Sequence, residues 1–197
     1  MTKIQSVAER VVAAARSRVR EGLVLIAVDG MGGSGKSTLA AAVAGLGEAT
    51  VVHGDDFYRP MAADERAGLT PAEGYDRYFD WQRLRDEVLT PLVSGRDALY
   101  RRYDWSTGAL AADGPCAVAR GGLVLVEGVY TARPELAGHY GLVVYVDTPP
   151  AESMRRLRAR GDDHGPIDWE ARWRLAEEYY LTTTRPWERA DLVVPGN

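Results

Sequence analysis

Residues 30–37 read Gly-Met-Gly-Gly-Ser-Gly-Lys-Ser and fit the spacing G-x-x-x-x-G-K-[ST]. The chemistry such a run supports is the capture of a polyphosphate. Several consecutive backbone N–H groups must turn inward on one anion, which needs dihedrals that glycine adopts cheaply. Gly30, Gly32, Gly33, Ser34 and Gly35 supply that loop, with Lys36, Ser37 and Thr38 at its exit. A helix starting there adds the positive end of its dipole. Lys36 would reach along the β- and γ-phosphates as a compact point charge. The chain has two lysines, Lys3 and Lys36, against twenty-two arginines. An ammonium kept at position 36 therefore fits a task that a planar guanidinium fork does poorly. Ser37 offers a hydroxyl to Mg2+. The expectation is a nucleoside triphosphate, ATP, bound with Mg2+. That leaves a small-molecule kinase, a GTPase switch and a motor-type ATPase open.

Acidic and aromatic residues narrow the choice. In His53-Gly-Asp55-Asp56-Phe57-Tyr58, a carboxylate at Asp55 could orient and deprotonate a hydroxyl. Phe57 and Tyr58 could offer a flat face to an acceptor. The plainer alternative is an Asp-Asp turn with core aromatics. Glu127 ends the apolar run 123–127, where a carboxylate can hold Mg2+ directly or through water; a surface-turn glutamate is the alternative. A guanine-reading Asn-Lys-x-Asp cannot occur with only Lys3 and Lys36 available, which argues against a GTPase. Arg155, Arg156, Arg158 and Arg160 crowd six residues. They read either as a clamp on transferring phosphate or as a solvated face paired with Glu152, Asp162 or Asp163.

The elements that must position these groups follow from periodicity. Short apolar runs at 23–29, 49–56, 121–130, 141–150 and 190–196 have the length of buried parallel strands. Between them, helices are expected at 36–47, about 80–93 and 168–187, the last ended by Arg185-Pro186, and residues 151–165 are expected as a basic helix followed by a polar loop. Ile4, Val7, Val11, Val12, Ala15 and Val19 recur at helical spacing, giving an amphipathic helix within 1–22. Strands alternating with helices indicate an α/β fold, a parallel sheet covered on both faces. Ligands then bind beyond the carboxyl ends of the strands, which is where the loop 30–37, Asp55 and Glu127 fall.

The segments "GMGGSGKST", "GDDFYRP", "YFDWQRLRDEVLTPLVSG", "RRYDWSTGAL", "LVLVEGVYTARPEL", "VYVDTPPAESMRRLRARG" and "ADLVVPG" together resemble the uridine kinase group of phosphate-loop kinases. That group is close to the phosphoribulokinase, pantothenate kinase and nicotinamide riboside kinase branches. The resemblance covers residues 23–196 and implies a five-stranded parallel sheet with a small Arg-rich lid at 151–168. It implies transfer of the γ-phosphate of ATP to the 5′-hydroxyl of a nucleoside. Asp55 matches the catalytic carboxylate, Tyr58 and Tyr103 the aromatics beside the substrate, and Glu127 and Ser37 the metal side. Arg156 and Arg160 match lid arginines, and Asp76 is the candidate for holding ribose hydroxyls. One departure bears on the acceptor. Where uridine kinases carry a base-reading histidine after the Tyr-Asp-aromatic segment, this chain has Ser106-Thr107-Gly108. "DDFYRP" also resembles the nicotinamide riboside kinase version. Nicotinamide riboside, pantothenate and other small metabolites stay open as acceptors, as does an ATP-binding regulatory module with none.

A chain of 197 residues, 46% apolar and 26% charged with net charge -4, suits one globular domain over 1–197. The acidic balance argues against a nucleic-acid partner. The lone Cys116 suits a reducing compartment, and without an apolar run of spanning length the expectation is a cytoplasmic protein with no membrane partner. A homo-oligomer is left open. His53, His139 and His164 fit no metal spacing and read as structural or surface residues.

Overall fold

The structure, a computed structural model, describes residues 2–47, 49–160 and 169–196, with side chains left out at 160, 169 and 170. Helix α1 (Lys3–Arg16) opens on a capping box in which the Thr2 hydroxyl accepts from Gln5 N. Its stripe Val7, Ala8, Val11, Val12 and Ala15 is buried. Val19, expected on the same stripe, lies beyond the helix and is exposed. Strand β1 (Leu23–Asp29) follows, then helix α2 (Lys36–Gly47), strand β2 (Thr50–His53) and a 3-10 turn at Gly54–Phe57. That turn shortens the strand expected over 49–56: Asp55 and Asp56 leave the ladder, where carboxylates without partners would be costly.

Two short helices, α3 (Ala63–Gly68) and α4 (Pro71–Arg77), occupy a stretch that periodicity did not resolve. The helix expected over 80–93 has three parts: α5 (Trp81–Arg83), a π turn (Leu84–Leu89) and α6 (Thr90–Val93). Pro91 accounts for the widened turn. It has no N–H to donate, and its ring would press on the carbonyl four residues back. Strands β3 (Ala98–Tyr100) and β6 (Cys116–Val118) form one antiparallel pair, and β4 (Tyr103–Asp104) with β5 (Ala109–Leu110) another, closed by the Ser106-Thr107-Gly108 turn. Then come β7 (Gly122–Glu127), β8 (Leu142–Asp147), α7 (Pro150–Arg160), α8 (Trp169–Thr184), α9 (Pro186–Arg189) and β9 (Leu192–Pro195). Residues 161–168 of the expected lid, His164 among them, lie outside the described residues.

The main sheet has five strands in the order β2-β7-β1-β8-β9, each neighbouring pair parallel. One face is covered by α1 and α2 around Val11, Ile26, Val28, Leu39 and Val43. The other carries the helix at 81–93 and Tyr130, Leu136 and Tyr180. Both faces being covered explains the near-continuous apolar strands. The register sets His53 beside Glu127 and Glu127 beside Val28. The carboxyl ends of β2, β7 and β1 thus present His53, Glu127 and Asp29 side by side. Among the described residues no helix is long and apolar enough to cross a membrane.

Candidate active site

The loop between β1 and α2 is fixed by its flanks. Asp29, fully buried at the end of β1, accepts from Gly30 N (2.6 Å), Ala132 N (2.7 Å) and the Tyr180 hydroxyl (2.7 Å). Burial pushes its carboxyl above the ordinary range, and the three hydrogen bonds and the Lys36 charge oppose that push. Gly33 has φ +75°, a left-handed conformation costly to other residues, and a Cβ there would collide with the Ser153 carbonyl at the start of α7. Thr148 donates to Ser34 O at 2.9 Å. The Lys36 ammonium, almost wholly buried, donates to Gly30 O (3.0 Å) and Met31 O (2.8 Å). It therefore spans the loop, and its charge is felt at Asp29, Asp55, Glu127 and Glu177. Ser37 and Thr38 are exposed at the head of α2.

Across the loop stands Glu127. Its Oε2 accepts from the Ser37 hydroxyl at 3.1 Å, and its Oε1 lies 2.8 Å from His53 Nδ1. Burial raises the Glu127 carboxyl, but the His53 hydrogen bond and the Lys36 charge outweigh it, leaving it below the ordinary value. The same bond lifts His53 above its usual range against the opposing effect of burial. His53, read as a structural or surface histidine, is thus a partner of the candidate metal acid. The Gly-Gly approach behind this geometry has a clear reason. A Cβ on Gly54 would sit 3.1 Å from Glu127 O, and one on Gly128 would sit 3.0 Å from the Gly54 Cα. Glycine at both positions lets the 3-10 turn carrying Asp55 lie this close to the end of β7 without displacing either backbone.

Asp55 is exposed on the 3-10 turn that follows β2. Desolvation by the surrounding protein, with the neighbouring Glu127 carboxylate, holds its carboxyl above the ordinary range, while Lys36 and His53 act the other way. Asp56 takes a different part: it accepts from the Tyr100 hydroxyl at 3.0 Å. Tyr58 and Tyr103 come together, ring centroids 6.0 Å apart, and Trp105 and Trp173 pack on Tyr58 at 4.6 and 4.8 Å. Arg66 donates to the Tyr103 hydroxyl at 3.0 Å. Two tryptophans thus line the same cluster as Tyr58 and Tyr103, the aromatics expected beside the substrate. Asp76 is exposed on α4 and, among the described residues, no hydrogen bond or ion pair joins it to these groups. Tyr75, one position earlier, is the residue of α4 that turns inward, onto Tyr130 and Tyr180.

The arginines of α7 divide. Arg155 is exposed and paired with Glu152. Arg156 also binds Glu152 (2.7 Å), but its Nη1 reaches Ser34 O of the loop at 3.5 Å. The Arg160 side chain lies outside the described residues. Two residues with no motif signal also join the site: Asp29, at a strand end where a carboxylate could have been suspected, and Glu177, whose Oε1 accepts from Gly32 N at 3.0 Å.

No family model and no curated protein matches the chain. Solved structures do. A possible uridine kinase from Bacillus stearothermophilus superposes with a TM-score of 0.74 at 23% identity, covering 98% of this chain and 99% of that one. A provisionally assigned fructose transport system kinase from Silicibacter sp. gives 0.68 at 26% identity, covering 99% and 100%. D-glycerate 3-kinase from Cryptococcus neoformans gives 0.55 at 14% identity, covering 91% and 86%. The fold is that of the phosphate-loop kinases.

Proposed function

We propose that the protein is an ATP-dependent kinase that phosphorylates a hydroxyl of a small molecule. The observation that carries this is the convergence of four groups at the carboxyl ends of β1, β2 and β7. Lys36 spans the loop, Ser37 and Glu127 lie 3.1 Å apart, and Asp55 is near enough to feel the charges of both Lys36 and Glu127. Ser37 and Glu127 are hard oxygen donors of the kind Mg2+ takes. Among the described residues no cluster of three His, Cys, Asp or Glu side chains could hold a metal, so phosphate oxygens and water would complete its shell. Bound Mg2+ would neutralise charge on the β- and γ-phosphates.

The protein's own part is positioning and proton handling. The loop amides and Lys36 hold the triphosphate. Asp55, with its carboxyl above the ordinary range, accepts the proton of the attacking hydroxyl. Arg156, anchored beside Ser34, adds positive charge where negative charge develops. The acceptor lies toward Tyr58, Tyr103, Trp105 and Trp173, and the 5′-hydroxyl of a nucleoside is the first reading. A sugar-type acceptor is the second. It is favoured by Gly108, which has no side chain to read a base edge although its Cβ position would be 3.7 Å from the Tyr103 hydroxyl, and by the similarity to the Silicibacter protein.

The test is ADP release from MgATP, with and without a panel of nucleosides, sugars and vitamins, with product identified by mass. One acceptor stimulating turnover and gaining phosphate supports the reading. Slow hydrolysis that no acceptor stimulates would replace it with that of a nucleotide-binding module.

A further inference from the structure

Glu177 is a buried acid that the phosphoryl-transfer scheme does not use. It sits on α8, 3% exposed, 145 residues away in sequence from the amide it binds. Its Oε1 accepts from Gly32 N at 3.0 Å, and the Trp173 indole donates to the same carboxylate. The approach is close enough that a Cβ on Gly32 would lie 3.1 Å from that oxygen. Burial raises the Glu177 carboxyl, with the Lys36 charge and the two hydrogen bonds opposing it.

An acid here is set against one of the amides of an anion-binding loop. A backbone N–H is a single donor. The Gly32 amide cannot serve Glu177 and a phosphate oxygen with full strength at once. Two anions would also repel strongly in a site this poorly solvated. Trp173 lies four residues before Glu177 on the same helix, so the two share a face. Its ring stacks on Tyr78 (5.2 Å, 18°) and packs on Tyr58 (4.8 Å). One helix face therefore touches the phosphate loop through Glu177 and the aromatic cluster through Trp173.

We propose that Glu177 is a positioning residue that holds the phosphate loop in the nucleotide-free protein and is displaced by the entering triphosphate, carrying the change through Trp173 to the aromatic cluster. The inference rests on the reading of residues 30–37 as the nucleotide site. It has a sign that an ordinary structural role lacks. Removing a merely structural contact weakens binding or leaves it unchanged, whereas removing a competing anion tightens it.

The experiment is MgATP binding by titration calorimetry and tryptophan emission, for the full chain, Glu177→Gln and Trp173→Phe. The Gln variant keeps an acceptor oxygen for Gly32 N–H and loses the charge. Its Kd should fall about tenfold, roughly 1.4 kcal/mol. In the unmodified protein MgATP should change the emission, and Trp173→Phe should abolish that change. Binding by Glu177→Gln that is equal or weaker overturns the inference. So does calorimetric binding to the unmodified protein with no Trp173-dependent emission change, a result that stands even if the Gln variant does not fold. If the unmodified chain fails to bind MgATP at all, the nucleotide reading falls and takes this inference with it.

Discussion

Replacing Asp29 by Asn should destabilise the protein far more than a change of one atom suggests. Asp29 Oδ1 accepts from Gly30 N, and Oδ2 from Ala132 N and the Tyr180 hydroxyl. An amide has one acceptor oxygen. If it faces Gly30, the NH2 group meets the Ala132 N–H; the Tyr180 hydroxyl can rotate to accept, but the Ala132 amide is orphaned. If it faces the other way, the Gly30 amide is orphaned instead. A buried donor left without a partner costs about 1–3 kcal/mol, and the surviving bonds weaken as they lose a charged acceptor. Relief from burying a charge offsets part of this, since burial already raises the Asp29 carboxyl. The net loss should be about 2–4 kcal/mol, or roughly 4–16 °C in Tm for a chain of this size. Thermal unfolding followed by circular dichroism reads this directly. A cycle with Tyr180→Phe sharpens it: the hydroxyl should be worth at least about 1 kcal/mol less in the Asp29→Asn background than in the parent. A variant within about 0.5 kcal/mol of the parent, a change typical of sites without such features, would refute the three-bond anchor.

Two further consequences follow from the site. Gly33→Ala puts a side chain in a left-handed conformation against the Ser153 carbonyl; a loss of about 1–3 kcal/mol and of measurable MgATP binding is expected, and unchanged Tm with unchanged Kd would contradict it. His53 has its folded value raised by the Glu127 carboxylate. Its contribution to stability is therefore full below the ordinary histidine value and is lost as pH rises through the raised one. The ring is 57% exposed, so the contribution stays under about 1 kcal/mol. Urea unfolding across that window should show a slope that His53→Gln flattens, and an identical slope in both proteins would show that the pair is not coupled.

What the sequence made legible was local. The loop 30–37, the strand ending at Glu127 and the helix stripe from Val7 to Ala15 each announce themselves within a dozen residues. The long-range partners do not. Nothing near Glu177 points to Gly32, and nothing near Asp29 points to Tyr180, 151 residues on; only the folded sheet brings them together. The pairing of His53 with Glu127 is a register fact between two strands, invisible to motif reading. One miss was readable: Thr70-Pro71-Ala72-Glu73 is a capping box with proline at the first turn, and it starts α4 as the pattern says it should. Asp76 matches the resemblance by position alone, and α4 leaves it exposed to solvent.

In the proposed reaction Asp55 takes the proton of the acceptor's alcohol as it attacks the γ-phosphate. The most direct measurement is the steady-state and binding comparison of Asp55→Asn with the parent, using the acceptor found in the panel. The expected result is kcat lower by about 100- to 10,000-fold, with MgATP Kd nearly unchanged, because among the described residues no hydrogen bond joins the Asp55 side chain to the loop 30–37. Turnover by the Asn variant at the parent's rate would contradict it and leave Asp55 a turn residue.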